Sequence, residues 1–227
     1  MTITLITGAN KGIGYQTARQ LIALGHTVYL GARDVERGQR AAAELGGRFV
    51  QLDVTDDDSV SSAIKIIDRA EGRLDVLINN AGIAPSAPFA GDILTVLDTN
   101  VAGVLRVTEA ALELLHRSAD PVVVNVSSSL GSFWAVHNSD RQESRVLSGS
   151  YGASKAAVTM LTVQYARKEP SIRFNAVEPG YTDTDLTADV PGGRSAEDSA
   201  AVVVRMATVG AGGPTGTLQE EAGLLAW

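Results

Sequence analysis

A chain of 227 residues with 44% hydrophobic and 20% charged side chains has enough apolar surface to close a core and too little charge to remain disordered. Its net charge of −7 argues against a general nucleic-acid surface, and the lack of cysteine excludes disulfides and thiolate catalysis, while His26, His116 and His137 have no metal-ligand spacing. Met1 runs straight into a strand pattern with no basic leader and no membrane-length apolar run, so a cytoplasmic protein is expected, with no membrane or nucleic-acid partner.

The β-rich run Ile3-Thr4-Leu5-Ile6-Thr7 meets glycines at 8, 12 and 14, and Ile13, Thr17, Leu21, Ile22 and Leu24 then give a helix one apolar stripe that Gly25 ends. Such a turn lets backbone approach a pyrophosphate, and the first amides of the helix point at its charge. The spacing is GxxxGxG rather than GxGxxG, and taken alone it is also compatible with a tight corner.

Thr27 to Leu30 reads as the second strand, ending in Gly31-Ala32-Arg33-Asp34, where an adenosine ribose lies in a doubly wound fold. No carboxylate stands at 32. Arg33 and Lys11 could instead meet a 2′-phosphate, which favours NADP(H) over NAD(H); their plainer reading is as solvated loop charges. A helix from about Glu36 to Leu45 and a strand from Arg48 to Leu52 follow. Asp53-Val54 closes that strand, with Asp53 able to accept from an adenine amino group and Thr55 or Asp56 able to cap the next helix.

Leu74 to Ile78 forms the fourth strand and runs into Asn79-Asn80-Ala81-Gly82, where small residues permit backbone contact with a cofactor. In the helix expected from about Ile93 to His116, Asn100 interrupts the apolar pattern, which predicts an ordered water or a distorted backbone. The fifth strand, Val122 to Val126, ends in Ser127-Ser128-Ser129-Leu130-Gly131, and a polar loop carrying Phe133 and Trp134 continues to Ser150. Tyr151 and Lys155 lie four apart on one face of the next helix. After the strand Ile172 to Val177 comes the turn Glu178-Pro179-Gly180-Tyr181-Thr182-Asp183-Thr184; Ser195 then caps a helix to about Thr208, and Gly216 to Gln219 supplies a last strand. The alternation predicts one α/β domain over 1–227: a doubly wound Rossmann-type fold with a mostly parallel seven-stranded sheet and helices on both faces.

The ordered set TGANKGIG, Asp53-Val54, Asn79-Asn80-Ala81-Gly82, Asn100, the serine strand end, Tyr151-Gly152-Ala153-Ser154-Lys155 and Pro179-Gly180 with Thr184 resembles the classical short-chain dehydrogenase/reductase family across nearly the whole chain. TGANKGIG with the later GARD looks most like its NADPH-dependent carbonyl reductases. The resemblance implies catalysis by Asn100, Ser128, Tyr151 and Lys155: Tyr151 as acid in carbonyl reduction and base in alcohol oxidation, Lys155 holding the nicotinamide ribose and lowering the proton affinity of the tyrosine, Ser128 orienting the substrate oxygen, and Asn100 carrying a water in the proton path. In the family pattern the catalytic serine stands three residues before the glycine of this segment, here Gly131, so the resemblance selects Ser128, with Ser127 the next choice. Cofactor contacts are implied for Gly8, Asn10, Lys11, Gly12, Ile13, Gly14, Arg33, Asp53, Val54, Asn80, Ala81, Gly82, Tyr151, Lys155, Pro179, Gly180, Thr182 and Thr184, with transfer of the pro-S hydride. Tyr151 stands twenty-three residues after Ser128, where many members have about thirteen. The extra length, the variable loop 132–150, resembles in position the insertion of monomeric carbonyl reductases and either walls the substrate site or obstructs a subunit interface. It favours a monomer while leaving a homodimer open. Two other readings are an NAD-preferring alcohol dehydrogenase and a non-catalytic dinucleotide-binding redox sensor.

Overall fold

The computed structural model describes residues 1–85, 88–89, 93–186 and 192–227. β1 (Ile3–Thr7), α1 (Gly12–Ala23), β2 (Thr27–Ala32), α2 (Val35–Leu45), β3 (Arg48–Gln51) and α3 (Asp57–Glu71) form the first half. β4 (Val76–Asn79) leads to α4 (Ile93–Leu97), a π-helical turn (Asp98–Ala102) and α5 (Gly103–His116). β5 (Val122–Val126) is followed by a 3-10 turn (Ser129–Gly131), α6 (Phe133–His137), a second 3-10 turn (Gln142–Arg145) and α7 (Gly149–Lys168), and the chain closes with β6 (Arg173–Val177), α8 (Ala196–Ala207), β7 (Thr217–Glu220) and β8 (Gly223–Leu225).

The strands form one sheet in the order β3-β2-β1-β4-β5-β6-β7-β8, parallel as far as β7. Helices cover both faces, which explains why β1 and β5 are apolar-rich runs buried at every position. Alternation divides the core: Leu5, Leu77, Val123 and Phe174 pack toward α3, α5 and α7, while Ile6, Ile78, Val124 and Val177 pack toward α1, α2 and α8. Each large apolar side chain buried in this way contributes about 1.5–3 kcal/mol.

The sheet has eight strands where seven were expected. β8 returns antiparallel on β7, and its Leu225 packs on Leu218 and Ala176; three residues are too few to show a strand period in sequence. The expected helix from Ile93 to His116 is divided by the π turn, which contains Asn100. Part of the short loop expected between Asp183 and Arg194 lies outside the described residues. Among the described residues no helix is long and apolar enough to cross a membrane.

The order reverses at β1, whose neighbours are β2 and β4, so a crevice opens above the carboxyl ends of these strands. Helices α2, α3 and α8 are capped by Asp34, Asp56 and Ser195. By contrast α1, which starts in the glycine turn, and α7, which starts beside Tyr151, have no side-chain cap.

Candidate active site

The glycine turn is held closely against the end of β4. Gly8 has φ +65°, and a Cβ there would lie 3.0 Å from Ala81 Cα; a Cβ on Gly14 would lie 2.5 Å from Asn80 Nδ2 and 2.7 Å from the Gly8 carbonyl. Side chains at either position would fill this cradle. Asn80 Nδ2 donates to the Thr7 and Gly8 carbonyls at 2.9 and 3.1 Å, and the Thr7 hydroxyl accepts from the Asn80 and Ala81 amides at 3.0 Å each. With Lys11 at its N-cap offering no acceptor, α1 presents its opening amides at Gly12, Ile13 and Gly14 without a side-chain partner. Thr184 comes over this turn, its methyl 3.5 Å from a Cβ position on Gly12. The cradle and the uncapped helix start fit a dinucleotide pyrophosphate.

The other end of the crevice is charged. Arg33 is exposed, and its charge reaches Asp53; burial pushes the Asp53 carboxyl up, but the Thr55 amide and hydroxyl together with Arg33 hold it below its ordinary value. Val54 is buried against Gly103. A notch of about 140 Å³ between α1 and α2 is lined by Asn10, Lys11, Arg37, Arg40 and Glu44, among others. Arg37, in the first turn of α2, pairs with the Asp34 cap at 3.6 Å. Lys11 is bound to Asp185, in the turn after β6.

Four polar side chains converge between β4, β5 and α7. Lys155 is 5% exposed and donates to the Val126 carbonyl at 2.8 Å, with its ammonium 5.5 Å from the Tyr151 ring centroid. Asn100, 1% exposed, donates to the Ile83 carbonyl at 2.9 Å and to Ser154 Oγ at 3.0 Å, and accepts from the Ile83 amide at 2.9 Å. A Cβ on Gly82 would stand 3.4 Å from Asn100 Oδ1 and 3.6 Å from Lys155 Nζ, so these three residues meet at one point.

Burial pushes the Lys155 ammonium down to about 8, against the opposing pull of Glu178. The Tyr151 phenol is held above its ordinary value by burial and then by Glu178, with Ser128 pulling the other way. The resemblance implies that Lys155 lowers the proton affinity of the phenol; burial and the Glu178 carboxylate act on Tyr151 in the opposite direction.

The three serines divide their tasks. Ser127 Oγ bonds the Lys155 carbonyl at 3.0 Å and Thr159 Oγ1 at 2.8 Å, which fastens α7 to β5. Ser129 gives its amide to the buried Glu178 carboxylate, and its side chain bonds both Glu143 and Glu178. Ser128 accepts only a 3.2 Å bond from the Leu130 amide and acts on the Tyr151 phenol. Pro179 is buried, and Gly180 at φ +82° turns the chain against Arg194. The Thr182 hydroxyl bonds the Gly180 carbonyl and Ser199 Oγ, which fixes this turn to α8.

The 132–150 loop is anchored at several points. Arg141 bridges Glu143 and Glu220 and covers the Trp134 ring at 5.6 Å, while Ser132 Oγ and the Trp134 amide donate to the Ala226 and Trp227 carbonyls. Trp134 therefore pins the loop, whereas Phe133 remains 71% exposed.

A doubly wound sheet with a glycine cradle beside a Tyr-Lys-Ser-Asn cluster defines an oxidoreductase architecture. The chain belongs to the short chain dehydrogenase family, whose model matches residues 2–194. It is 34% identical to a short-chain dehydrogenase/reductase of Stachybotrys chlorohalonatus over 98% of this chain and 89% of that protein. Salutaridine reductase from Papaver somniferum superposes with a TM-score of 0.85 at 29% identity, over 96% of this chain and 99% of that one. An NADPH-bound carbonyl reductase from chicken fatty liver gives 0.84 at 27% identity over 100% of both chains.

Proposed function

We propose that this chain reduces a ketone or aldehyde carbonyl to an alcohol with NADPH, reversibly, through Tyr151. The observation that carries the reading is the buried Lys155 one helical turn beyond Tyr151, its ammonium held on the Val126 carbonyl where Gly82 and Asn100 also meet. When bound, NADPH would supply a hydride, assigned as the pro-S hydrogen, to the carbonyl carbon. Gly8, Gly12, Ile13, Gly14 and Thr184 would hold its pyrophosphate; Asp53 and Val54 would border the adenine, Asn80, Ala81 and Gly82 the adenosine and nicotinamide side, and Pro179, Gly180 and Thr182 the nicotinamide.

Ser128 donates to the substrate oxygen and orients it. Tyr151 gives that oxygen its proton, and Lys155 stabilises the phenolate left behind. Asn100 fixes the π turn, whose departure from the regular helical ladder supports a bound water that returns the proton through Lys155. The salutaridine reductase and the NADPH-bound carbonyl reductase named above support the same chemistry for this fold.

The preference for NADPH rests on Lys11 and Arg33 with Asn10, joined by Arg37 and Arg40 from the notch. An NAD-preferring alcohol dehydrogenase is the second reading, because Lys11 is engaged by Asp185. A monomer is proposed from the anchored 132–150 loop, with sedimentation as its check, and a cytoplasmic location from composition alone.

The test is a panel of ketones and aldehydes with purified protein and each cofactor, followed by loss of reduced-nicotinamide absorbance. The expected result is turnover with kcat/KM at least about tenfold higher for NADPH than NADH. Preference for NADH sinks the cofactor assignment, and a Tyr151→Phe variant that keeps the full rate sinks the acid.

A further inference from the structure

Glu178 is a buried carboxylate, 8% exposed, to which the mechanism above gives no role. It follows β6, and its own amide donates to the Gln219 carbonyl of β7 at 2.8 Å. One side-chain oxygen accepts from the Gly180 amide at 2.7 Å and the other from the Ser129 amide. The two donors belong to different turns, one adjoining Ser128 and the other adjoining Pro179. Among the described residues no cation forms an ion pair with it; the two amides hold it, joined by the Ser129 hydroxyl. Hydrogen bonds to an ionised acceptor are about twice as strong as neutral ones, which suits this carboxylate to clamp two turns.

We propose that Glu178 is a positioning residue for hydride transfer: its carboxylate ties the Ser128-Ser129 turn to the Pro179-Gly180 turn, so that the group orienting the carbonyl and the group flanking the nicotinamide keep a fixed separation. The proposal rests on the carbonyl-reductase reading of this site. The charged and titratable groups facing Glu178 come from three further elements. Tyr151 and Lys155 on α7 feel its charge, Glu143 in the second 3-10 turn opposes it while bonded to Arg141, and Arg194 stands across Gly180, paired with Glu221. Burial and Glu143 raise the Glu178 carboxyl against the pull of its two amide donors and the Ser129 hydroxyl. When ionised it favours the protonated forms of both Tyr151 and Lys155, so its loss lets the site give up its proton at lower pH.

Two variants of the full chain separate geometry from charge. Glu178→Gln keeps the volume but turns an amide NH2 toward one of the two N–H donors. Ser129→Pro deletes the other side of the tie, the Ser129 amide together with the hydroxyl that bonds Glu178 and Glu143, and leaves the carboxylate; residue 129 opens a 3-10 turn after Ser128 in extended conformation (φ −164°, ψ 148°), where proline is tolerated. Both should lower kcat by about tenfold or more, because small displacements of reacting groups are costly, while the NADPH Kd stays within about threefold. Only Glu178→Gln should move the alkaline limb of the reduction profile to lower pH. A kcat within about twofold of wild type in either variant overturns the proposal, as does a loss shared equally by NADPH binding and Tm, which marks a purely structural residue. If Glu178→Gln does not fold, Ser129→Pro decides the kinetic arm. Amide hydrogen exchange supplies an arm independent of turnover: segments 127–132 and 179–182 should lose protection together in whichever variant folds. If the wild type reduces no carbonyl, the function proposed above fails, and unchanged protection in both segments overturns this inference separately.

Discussion

The amino and carboxyl ends of the sheet both place polar side chains beside β1 and β4, and they treat them in opposite ways. At the amino end Asp75 accepts from the Ile3 amide at 2.8 Å, Ser118 Oγ at 2.6 Å and Arg73 Nε at 3.1 Å. Burial pushes its carboxyl up, but these donors together hold it below the ordinary aspartate value. At the carboxyl end Lys155 is more deeply buried and has no carboxylate within ion-pair distance among the described residues; it donates to a single carbonyl and is pushed down to about 8. An ion whose charge and hydrogen bonds are answered by its neighbours stabilises the fold. A buried ion with no ion-pair partner costs stability, and such a cost persists where it serves chemistry.

Lys155→Met should break the comparison most visibly. Carbonyl reduction should fall about 10²–10⁴-fold, the usual worth of a positioned proton-transfer group, with Tm held or raised because an unanswered buried charge has gone. For the wild type, reduction should decline as pH rises through about 8, where Lys155 loses its proton, and the residual activity of the variant should lack that limb. Rate measurements across pH, paired with thermal melts, check both statements.

Gly14→Ala should act next most strongly, on binding rather than on proton transfer. The added methyl would lie 2.5 Å from Asn80 Nδ2 and 2.7 Å from the Gly8 carbonyl, so the tie between the β1 and β4 ends must open. NADPH affinity, read by fluorescence titration, should weaken by about tenfold or more, and overpacking should cost about 1–3 kcal/mol of stability.

The two halves of the site differ in how far the sequence discloses them. The cradle is legible because its glycines stand in one local run at a strand end, and Asn80, though 72 positions from Gly8, is flagged by the small residues that follow it at the next strand end. Asn100 is legible as a polar break in an apolar helix, and the structure answers with a π turn at that position. Glu178 reads only as a turn residue, because its partner Ser129 lies 49 positions away, on another strand end. Arg141 is similar: in sequence it is one charge in a polar loop, and its partner Glu220 on β7 is 79 positions distant. The eighth strand was missed because three residues carry no usable alternation.

Asp75→Asn tests the other side of the comparison. It should lower unfolding stability by about 1–3 kcal/mol, the range for leaving buried partners of a charged acceptor poorly satisfied, with kcat and KM unchanged. Because the folded carboxyl lies below its unfolded value, its contribution is full above about pH 3.9 and is lost as pH falls through the lower, folded value. The difference between wild type and variant in denaturant melts should therefore be constant near neutrality and shrink in acid.

The smallest effect sharpens the comparison at the edge of the crevice, where Lys11 already has a counter-charge. Its partner Asp185 is exposed and held below the ordinary aspartate value by that pairing, with a smaller contribution from the Arg37 charge. A 2′-phosphate drawing on Lys11 would have to compete with this carboxylate, whereas NADH would not. Asp185→Asn should therefore tighten NADPH binding by about two- to fivefold, the range open to an exposed ion pair, and leave NADH binding where it was. The gain should fade with added salt, since both members of the pair are solvated. Equal tightening of both cofactors would assign Asp185 to general closure over the pyrophosphate, and no change in either would remove Lys11 from the 2′-phosphate site and leave Arg33 and Arg37 to carry the preference.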